Sequence, residues 1–541
     1  MRKFCYAGFG GLLLLIGCNV SDLDFSNLKI KDGEADVAVP FGFASYTMRE
    51  LIESSSPGIV LNEDPETGEM WVSYTSGPTT FNYDGSFIDA TAPVDNTTNS
   101  SLPTRASSIS SQDVPFAFVY TQPYFSNTGE RLDEIYYNGG TIDLDISTDL
   151  NSTVGVISSY TVLVNELRDR TSNTQMSFTG SNISSGIPGV HAPVSLANQK
   201  ITFVQSGGAS SYQITVTGTI TLNANQALTG AEQLTVRFQF AGQGNEIIVG
   251  RFGQDVCDLG TQTMAVDFFQ NFGVTGIEFG GSELTFDCTN TFGIPIAIDM
   301  SGIYGQDMNG VQTFMTGSVI NNPRIIQSSP TSSPITGQAV QTIITANDRS
   351  SNLTDILAAS PVSFTYALQG LTNNGSTTTT NFVMANSSVT TSLELYIPME
   401  VRMTDVQHSV DFNIAGQGQL SEVDTAALRV VTTNEFPFAG TFDMYILSAA
   451  DDTLYTAAEN IAFDIPFLTQ DLTAREPKIS ADDVPLSKAG LEALMAGDRV
   501  RITFTMNTPV STTAEGLFVK ILSSAKMDVQ LGARFLIKSD L

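Results

Sequence analysis

Two histidines, one tryptophan, four cysteines and only 25 lysines plus arginines are spread over 541 residues. Each scarcity excludes something. His191 and His408 lie far apart, neither in an HExxH pattern nor beside a cysteine. The ligand spacing of a zinc enzyme is therefore missing, and both read as surface or structural histidines. No Gly-x-Ser-x-Gly elbow, phosphate loop or dinucleotide fingerprint occurs. Ser523-Ser524-Ala525-Lys526 has Ser-x-x-Lys spacing but lacks the Ser-Asp-Asn and Lys-Thr-Gly that would accompany it in a catalytic site, and it reads as part of a terminal strand. No run approaches the ~20 apolar residues of a transmembrane helix. Basic residues are outnumbered by 56 Asp plus Glu, giving a net charge of −31. That field repels polyanions, so nucleic acid is excluded as a partner. No cofactor or metal site is expected, and the chain does not read as an enzyme.

The N-terminus is the most informative segment. Arg2 and Lys3 precede an apolar stretch from Phe9 to Ile16, too short to span a bilayer but of signal-peptide length. It ends in Leu15-Ile16-Gly17-Cys18, which resembles the lipobox of bacterial lipoproteins. That resemblance implies a signal peptide over 1–17, cleavage before Cys18, and lipid on Cys18 that anchors the chain to a membrane. Several acyl chains would supply stable anchoring. Asn19, where an Asp would signal inner-membrane retention, favours the outer membrane; the acidic Asp22 and Asp24 leave the periplasmic or surface face open. Cleavage removes Arg2 and Lys3 and no acid, taking the net charge to −33. Cys5 leaves with the signal peptide. Cys257 and Cys288 remain in an oxidising compartment, and their spacing leaves two readings: a disulfide, or two buried thiols in separate strands.

Behind this leader, period-two alternation dominates. Leu393, Leu395, Ile397, Met399, Val401 and Met403 alternate with polar residues, as do Val500, Ile502, Phe504 and Met506. That is the pattern of antiparallel sheets with one wet face. Helices are few: Thr47 and Glu50 fit a capping box, Ser487 could cap a helix closed by Gly497, and a third candidate spans 352–358. The fold class expected is mainly β, several antiparallel β-sandwich-like domains in series with a few short helices. Polar stretches at 96–112, 328–337, 372–380 and 387–392 suggest divisions. The resulting layout is a lipid-anchored tether and small β region over 18–111, a sandwich over 112–256, and β domains over 257–390 and 391–541.

The last two carry an internal repeat. LTFDCTNTFGIPIAIDM at 284–300 and LRVVTTNEFPFAGTFDM at 428–444 match at six positions, including Asn290/Asn434 and Phe292/Phe436. An Asn at a strand-to-strand crossing can bond backbone groups, and the two phenylalanines should be buried. The segments Asp267-Phe268-Phe269-Gln270-Asn271 and Thr289-Asn290-Thr291-Phe292-Gly293-Ile294-Pro295, with the ending 519–532, resemble large outer-membrane lipoproteins of Bacteroidota. The resemblance implies the compartment and a β architecture and assigns no functional residue.

Three functions follow as alternatives. The favoured one is a non-enzymatic envelope lipoprotein that contacts another envelope protein. A second is a surface glycan-binding lipoprotein of a polysaccharide-uptake system, using Tyr120, Tyr124, Tyr136 and Tyr137 as a stacking platform; Trp71, in an alternating run, reads as a strand residue. A third is a hydrolase with a carboxylate pair. Asp143, Asp145, Asp149 and Asn151 offer oxygen ligands for calcium, but the alternation of Asp143 and Asp145 with Ile142, Leu144 and Ile146 is that of a strand's wet face, and the glycine of an EF-hand turn is missing.

Overall fold

Each alternating segment has one apolar face that must find a second layer, and the chain meets that need by pairing strands from distant parts of the sequence. A computed structural model describes residues 34–50, 61–83, 96–124, 131–206, 209–266, 268, 276–321, 323–374, 379–414, 423–510 and 516–538. They form several antiparallel sheets, with helix confined to short segments such as Leu353–Ala358 and Lys488–Ala496. The expected mainly-β architecture is the one observed. Both caps also form. Thr47 and Glu50 bond each other's backbone N–H at 2.9 and 3.1 Å, and Ser487 Oγ accepts from Gly490 N at 3.2 Å.

One sandwich uses both ends of the described chain. Its first layer orders Glu34–Thr47, Lys526–Lys538, Val423–Asn434 and Lys478–Leu486; its second orders Val406–Asn413, Arg499–Asn507, Ala439–Leu447 and Thr453–Phe463. Numbered along the chain, these eight strands stand as 1-8-3-6 over 2-7-4-5, which is a jelly roll. A second sandwich repeats that order. Met70–Thr75 with Thr79–Asn82, then Ser388–Pro398, Glu283–Asn290 and Val340–Asn347 make one layer. Val256–Ala265, Ser363–Thr372, Ile296–Asp299 and Arg324–Ile326 make the other. The third repeats it again. Asn96–Ser101, Gln233–Arg251 and Arg131–Thr148, edged by the short strands between 189 and 202, face Gln112–Tyr124, Ala209–Leu222, Gly155–Asp169 and Gln175–Gly180. Asn96–Ser101, wholly polar and assigned by composition to a boundary stretch, is thus an edge strand whose partner Gln233–Arg251 supplies the apolar face.

The three jelly rolls are nested. The connection from the first to the second strand of the terminal one, residues 48–405, contains the middle one. The same connection in the middle one, residues 83–255, contains the innermost. Register fixes their order in space. In the terminal jelly roll Glu34 pairs with Lys538 at one end and Thr47 with Lys526 at the other, so the chain enters and leaves at one end and the insertion departs from the opposite end. The middle one does the same, with Trp71 opposite Pro398 on arrival and Asn82 opposite Ser388 on departure. The result is a head-to-tail series: terminal, middle, innermost. Each core lies between its two layers. Tyr212 meets Phe238 across the innermost at 6.1 Å and Phe286 meets Tyr366 across the middle at 5.9 Å between ring centroids, each ring contributing roughly 1.5–3 kcal/mol by burial.

The corner between third and fourth strands carries the sequence repeat. Asn290 donates from Nδ2 to the carbonyls of Ile294 and Gln327, both at 3.0 Å, and its Oδ1 accepts from Phe292 N at 2.8 Å. Asn434 donates to Phe438 O at 2.8 Å and Asp464 O at 3.1 Å and accepts from Phe436 N at 2.9 Å. Both asparagines and both phenylalanines are buried. In the innermost jelly roll Thr148 stands at this place. Its Oγ1 donates to Gln233 O at 2.8 Å and accepts from Leu150 N at 3.1 Å, so a hydroxyl supplies part of what the amide does elsewhere.

Candidate functional site

The corner of the terminal jelly roll lies at the end that meets the middle one, and polar chemistry gathers there. The segment before its last strand docks across the seam. Val519–Lys520 pairs with Glu400–Met403, Leu522 bridges to Glu69, and Ser523 N donates to Gly68 O at 2.9 Å. The turn that receives it follows from sequence: Asp64 Oδ1 accepts from Glu66 N at 2.8 Å, and Gly68 takes a φ of +73°, which favours glycine. Lys520 Nζ reaches Glu69 Oε1 at 2.9 Å, Ser523 Oγ reaches Glu63 Oε1 at 2.5 Å, and Arg402 pairs with Glu278 while lying 4.8 Å from the Phe518 ring centroid.

Two clefts open on either side of Lys520. One, of about 280 Å³, is lined by Glu435, Pro437, Arg475, Glu476, Lys520 and Ser524 among others. Its neighbour, of about 170 Å³, is lined by Glu69, Tyr396, Pro398, Glu400, Lys520 and Ile521 among others. The Glu69 carboxylate hydrogen-bonded to it, with Glu400 and Asp471 nearby, raises the Lys520 pKa. That shift favours the ammonium form, the one that pairs with Glu69. This is a charged tie between two modules. Sequence reading missed Lys520, since a lone lysine in a strand-like run carries no signal until Glu69, 451 residues away, is brought to it.

The residues singled out by sequence disperse. Cys18 lies outside the described residues. Cys257 and Cys288 are buried free thiols on strands of different layers of the middle jelly roll, and no disulfide joins them. Burial pushes them up to about 11 and about 12. His191 Nε2 lies 2.8 Å from Tyr160 Oη in the innermost jelly roll, and His408 sits edge-on to Tyr46 at 5.3 Å in the terminal one; burial lowers both pKa values. Asp145 faces Arg237 at 3.5 Å, Asp149 Oδ1 accepts from Gln233 N at 2.6 Å, and Asn151 Oδ1 caps its own turn through Thr153 N at 2.9 Å. Among the described residues no group of three or more His, Cys, Asp or Glu is placed to hold a metal ion. Tyr124 and Tyr137 are buried in the core, and Tyr136 is covered by Arg170 and Lys200 at 5.1 and 5.2 Å. These tyrosines therefore form no common stacking face. Trp71 lies on the wet face of its strand beside Tyr396 at 6.1 Å. Ser523 is engaged by Glu63, and Lys526 by Asp528 at 2.8 Å.

The fold thus defines a β protein of nested jelly rolls with a charged seam. No family model and no curated protein matches the chain. Solved structures show distant likeness. A candidate secreted protein from Parabacteroides distasonis is 8% identical, covering 94% of this chain and 100% of that one at a TM-score of 0.29. A peptide-N(4)-(N-acetyl-β-D-glucosaminyl) asparagine amidase is 13% identical, over 56% of this chain and 96% of that one, at 0.12. The protein of infectious bursal virus derived particles is 9% identical, over 93% and 84%, at 0.13. At such TM-scores none of these likenesses bears on fold or function. No helix among the described residues is long and apolar enough to cross a membrane.

Proposed function

We propose that the chain is an outer-membrane lipoprotein, anchored through lipid on Cys18, that acts without catalysis by holding a protein-contact surface away from the membrane. One observation carries this reading: the chain enters and leaves the series of jelly rolls at a single end, Glu34 beside Lys538, while every insertion departs from the other end. Cys18 precedes Glu34 by sixteen residues, so a lipid there would place the terminal jelly roll nearest the bilayer and the innermost one farthest from it. A first strand of 14 residues alone spans about 45 Å. The acidic surface keeps such a body soluble and off anionic headgroups.

The test has two arms. Labelling cells with a clickable fatty acid should tag the wild-type chain and leave Cys18→Ser untagged, either soluble or as uncleaved precursor; equal label on both removes the anchor. Mild crosslinking followed by detergent extraction should return a stoichiometric envelope protein. Recovery only as a free monomer, in several detergents, removes the contact role.

A further inference from the structure

Two solvent-facing aromatic platforms flank the clefts at the seam. The chain's single tryptophan, Trp71, lies on the wet face of its strand, opposite Pro398 in register and 6.1 Å from the Tyr396 ring at an interplanar angle of 38°. Neither ring belongs to the core. Tyr396 and Pro398 line the cleft of about 170 Å³ together with Glu69, Glu400 and Lys520. On the other side of Lys520 lies the cleft of about 280 Å³, and its wall at Arg475 carries the second platform. Arg475 N donates to Phe467 O at 2.8 Å across a turn closed by the Leu468–Ala474 bridge. Phe467 is 78% exposed, the most exposed phenylalanine among the described residues. The same turn brings Asp471 close to Lys520, so both clefts and both platforms belong to one groove. We infer that this groove binds a neutral oligosaccharide, with one sugar ring stacked on Trp71 and Tyr396, another on Phe467, and hydroxyls bonded to the charged side chains between them. Such a site is separate from the protein contact proposed above.

The lining selects this ligand by what it presents. A pyranose has an apolar C–H face and a rim of hydroxyls that both donate and accept. The exposed rings match the face. For the rim, the groove sets acceptors and donors side by side: the carboxylates of Glu69, Glu400, Glu435 and Glu476, and the cations of Lys520 and Arg475. Lys520 is already oriented by Glu69 at 2.9 Å. Around Tyr396, burial first, and then the carboxylates of Glu69, Glu283 and Glu400, raise the pKa of the hydroxyl against the pull of Lys520, so fixed charges of both signs converge on that ring. Side chains ordered by one another lose little further freedom when a hydroxyl arrives. Four carboxylates against two cations, in a chain of net charge −31, repel a uronate or a sulfated glycan. The sugar that fits is therefore uncharged.

The experiment screens the purified full-length chain on an array of neutral, uronic-acid and sulfated glycans, with hexalysine as a peptide control. Binders are then measured by calorimetry and by the emission of Trp71, which reports this site alone because the chain has no other tryptophan. The expected result is a neutral oligosaccharide that binds and changes that emission, while acidic glycans and hexalysine do not bind. Trp71→Ala and Phe467→Ala should each weaken the calorimetric affinity about tenfold or more, with melting temperature unchanged. Phe314→Ala, at an exposed ring that lines neither cleft, should leave it as it was. Binding confined to acidic glycans or to hexalysine would overturn the assignment, as would no binding to any neutral glycan. So would a neutral binder that leaves Trp71 emission unmoved, or one whose affinity ignores both substitutions or falls equally with Phe314→Ala. None of these outcomes touches the protein contact, which recovery of a crosslinked envelope partner decides separately.

Discussion

Replacing Asn434 by alanine tests whether the corner holds the terminal jelly roll together as its geometry implies. The substitution removes three hydrogen bonds and strands one buried N–H, of Phe436, and two carbonyls, of Phe438 and Asp464. A net ~1 kcal/mol per bond, with the N–H the costliest group to leave alone, gives about 2–3 kcal/mol. Hydrogen exchange read by mass spectrometry localises the loss. Peptides covering Val423–Asn434, Ala439–Leu447 and Glu34–Thr47 should exchange roughly 30- to 150-fold faster, while the innermost jelly roll is unaffected. Asn290→Ala should act with similar size on Glu283–Asn290, Ile296–Asp299 and Ser388–Pro398. Asn434→Asp is the sharper variant: it keeps the acceptor for Phe436 N but turns an oxygen toward two carbonyls, and should cost at least as much as alanine. A loss below ~0.5 kcal/mol, or acceleration spread evenly over all three jelly rolls, would refute the corner's role.

Phe436→Ala, at a fully enclosed ring stacked 4.9 Å from Phe438, should cost about 3–5 kcal/mol in the same assay; a ring tolerant of truncation would show an open end. His408 is half-buried with its Nε2 enclosed and lacking a partner, and its folded pKa lies below the ordinary 6.5, so the folded state takes up fewer protons than the unfolded one. The associated stability is complete above pH ~6.5 and falls as pH drops from there toward the folded value. His408→Phe should flatten the melting temperature of the terminal jelly roll in that window, and an unchanged slope would refute it. Cys257 and Cys288, with thiols pushed up to about 11 and about 12, should resist Ellman's reagent at pH 8 in the native chain and give two equivalents on unfolding. A chain that yields none when unfolded without reductant carries a disulfide instead.

Local features were legible in sequence because they depend on neighbours a few residues away. The alternation at 499–507 sets Val500, Ile502, Phe504 and Met506 into the core, Ser487 caps its helix, and the Thr-Asn-x-Phe pair marks two equivalent corners. The third corner was not visible because a threonine hydroxyl, Thr148 Oγ1, stands where the other two use an asparagine amide, bonding Gln233 O and Leu150 N. The polar strand Asn96–Ser101 has no apolar face of its own and is a strand only through Gln233–Arg251. The nesting left no signal, since the first and second strands of each host jelly roll are separated by whole modules, Thr47 from Val406 and Asn82 from Val256. The seam behaves likewise: Lys520, Glu69 and Arg402 are unremarkable until pairing brings them within reach.

Nesting at one connection has a physical reason. The first and second strands of a jelly roll lie in opposite layers and join at the end of the sandwich, so their link crosses the open end of the core rather than a sheet face. Material added there covers apolar ends without disturbing a ladder hydrogen bond, and a long insertion adds little closure entropy to a loop already long. The host must still hold its first strand. In the terminal jelly roll Glu34–Thr47 pairs with Lys526–Lys538 along nearly its whole length, with one irregularity at Pro40–Gly42. In the middle one the shorter Met70–Thr75 is reinforced by Thr79–Asn82 along the same neighbour, Ser388–Pro398. The corner asparagines stand at these same ends, where they tie third strand to fourth and carry carbonyls from the segment after the fifth strand. The end that bears the load of an insertion is thus, in both hosts, an end whose corner is tied by a buried asparagine. In the innermost jelly roll, where nothing is inserted, the amide is replaced by the smaller hydroxyl of Thr148, and the connection shrinks to residues 102–111, leaving the loops of that end open to solvent.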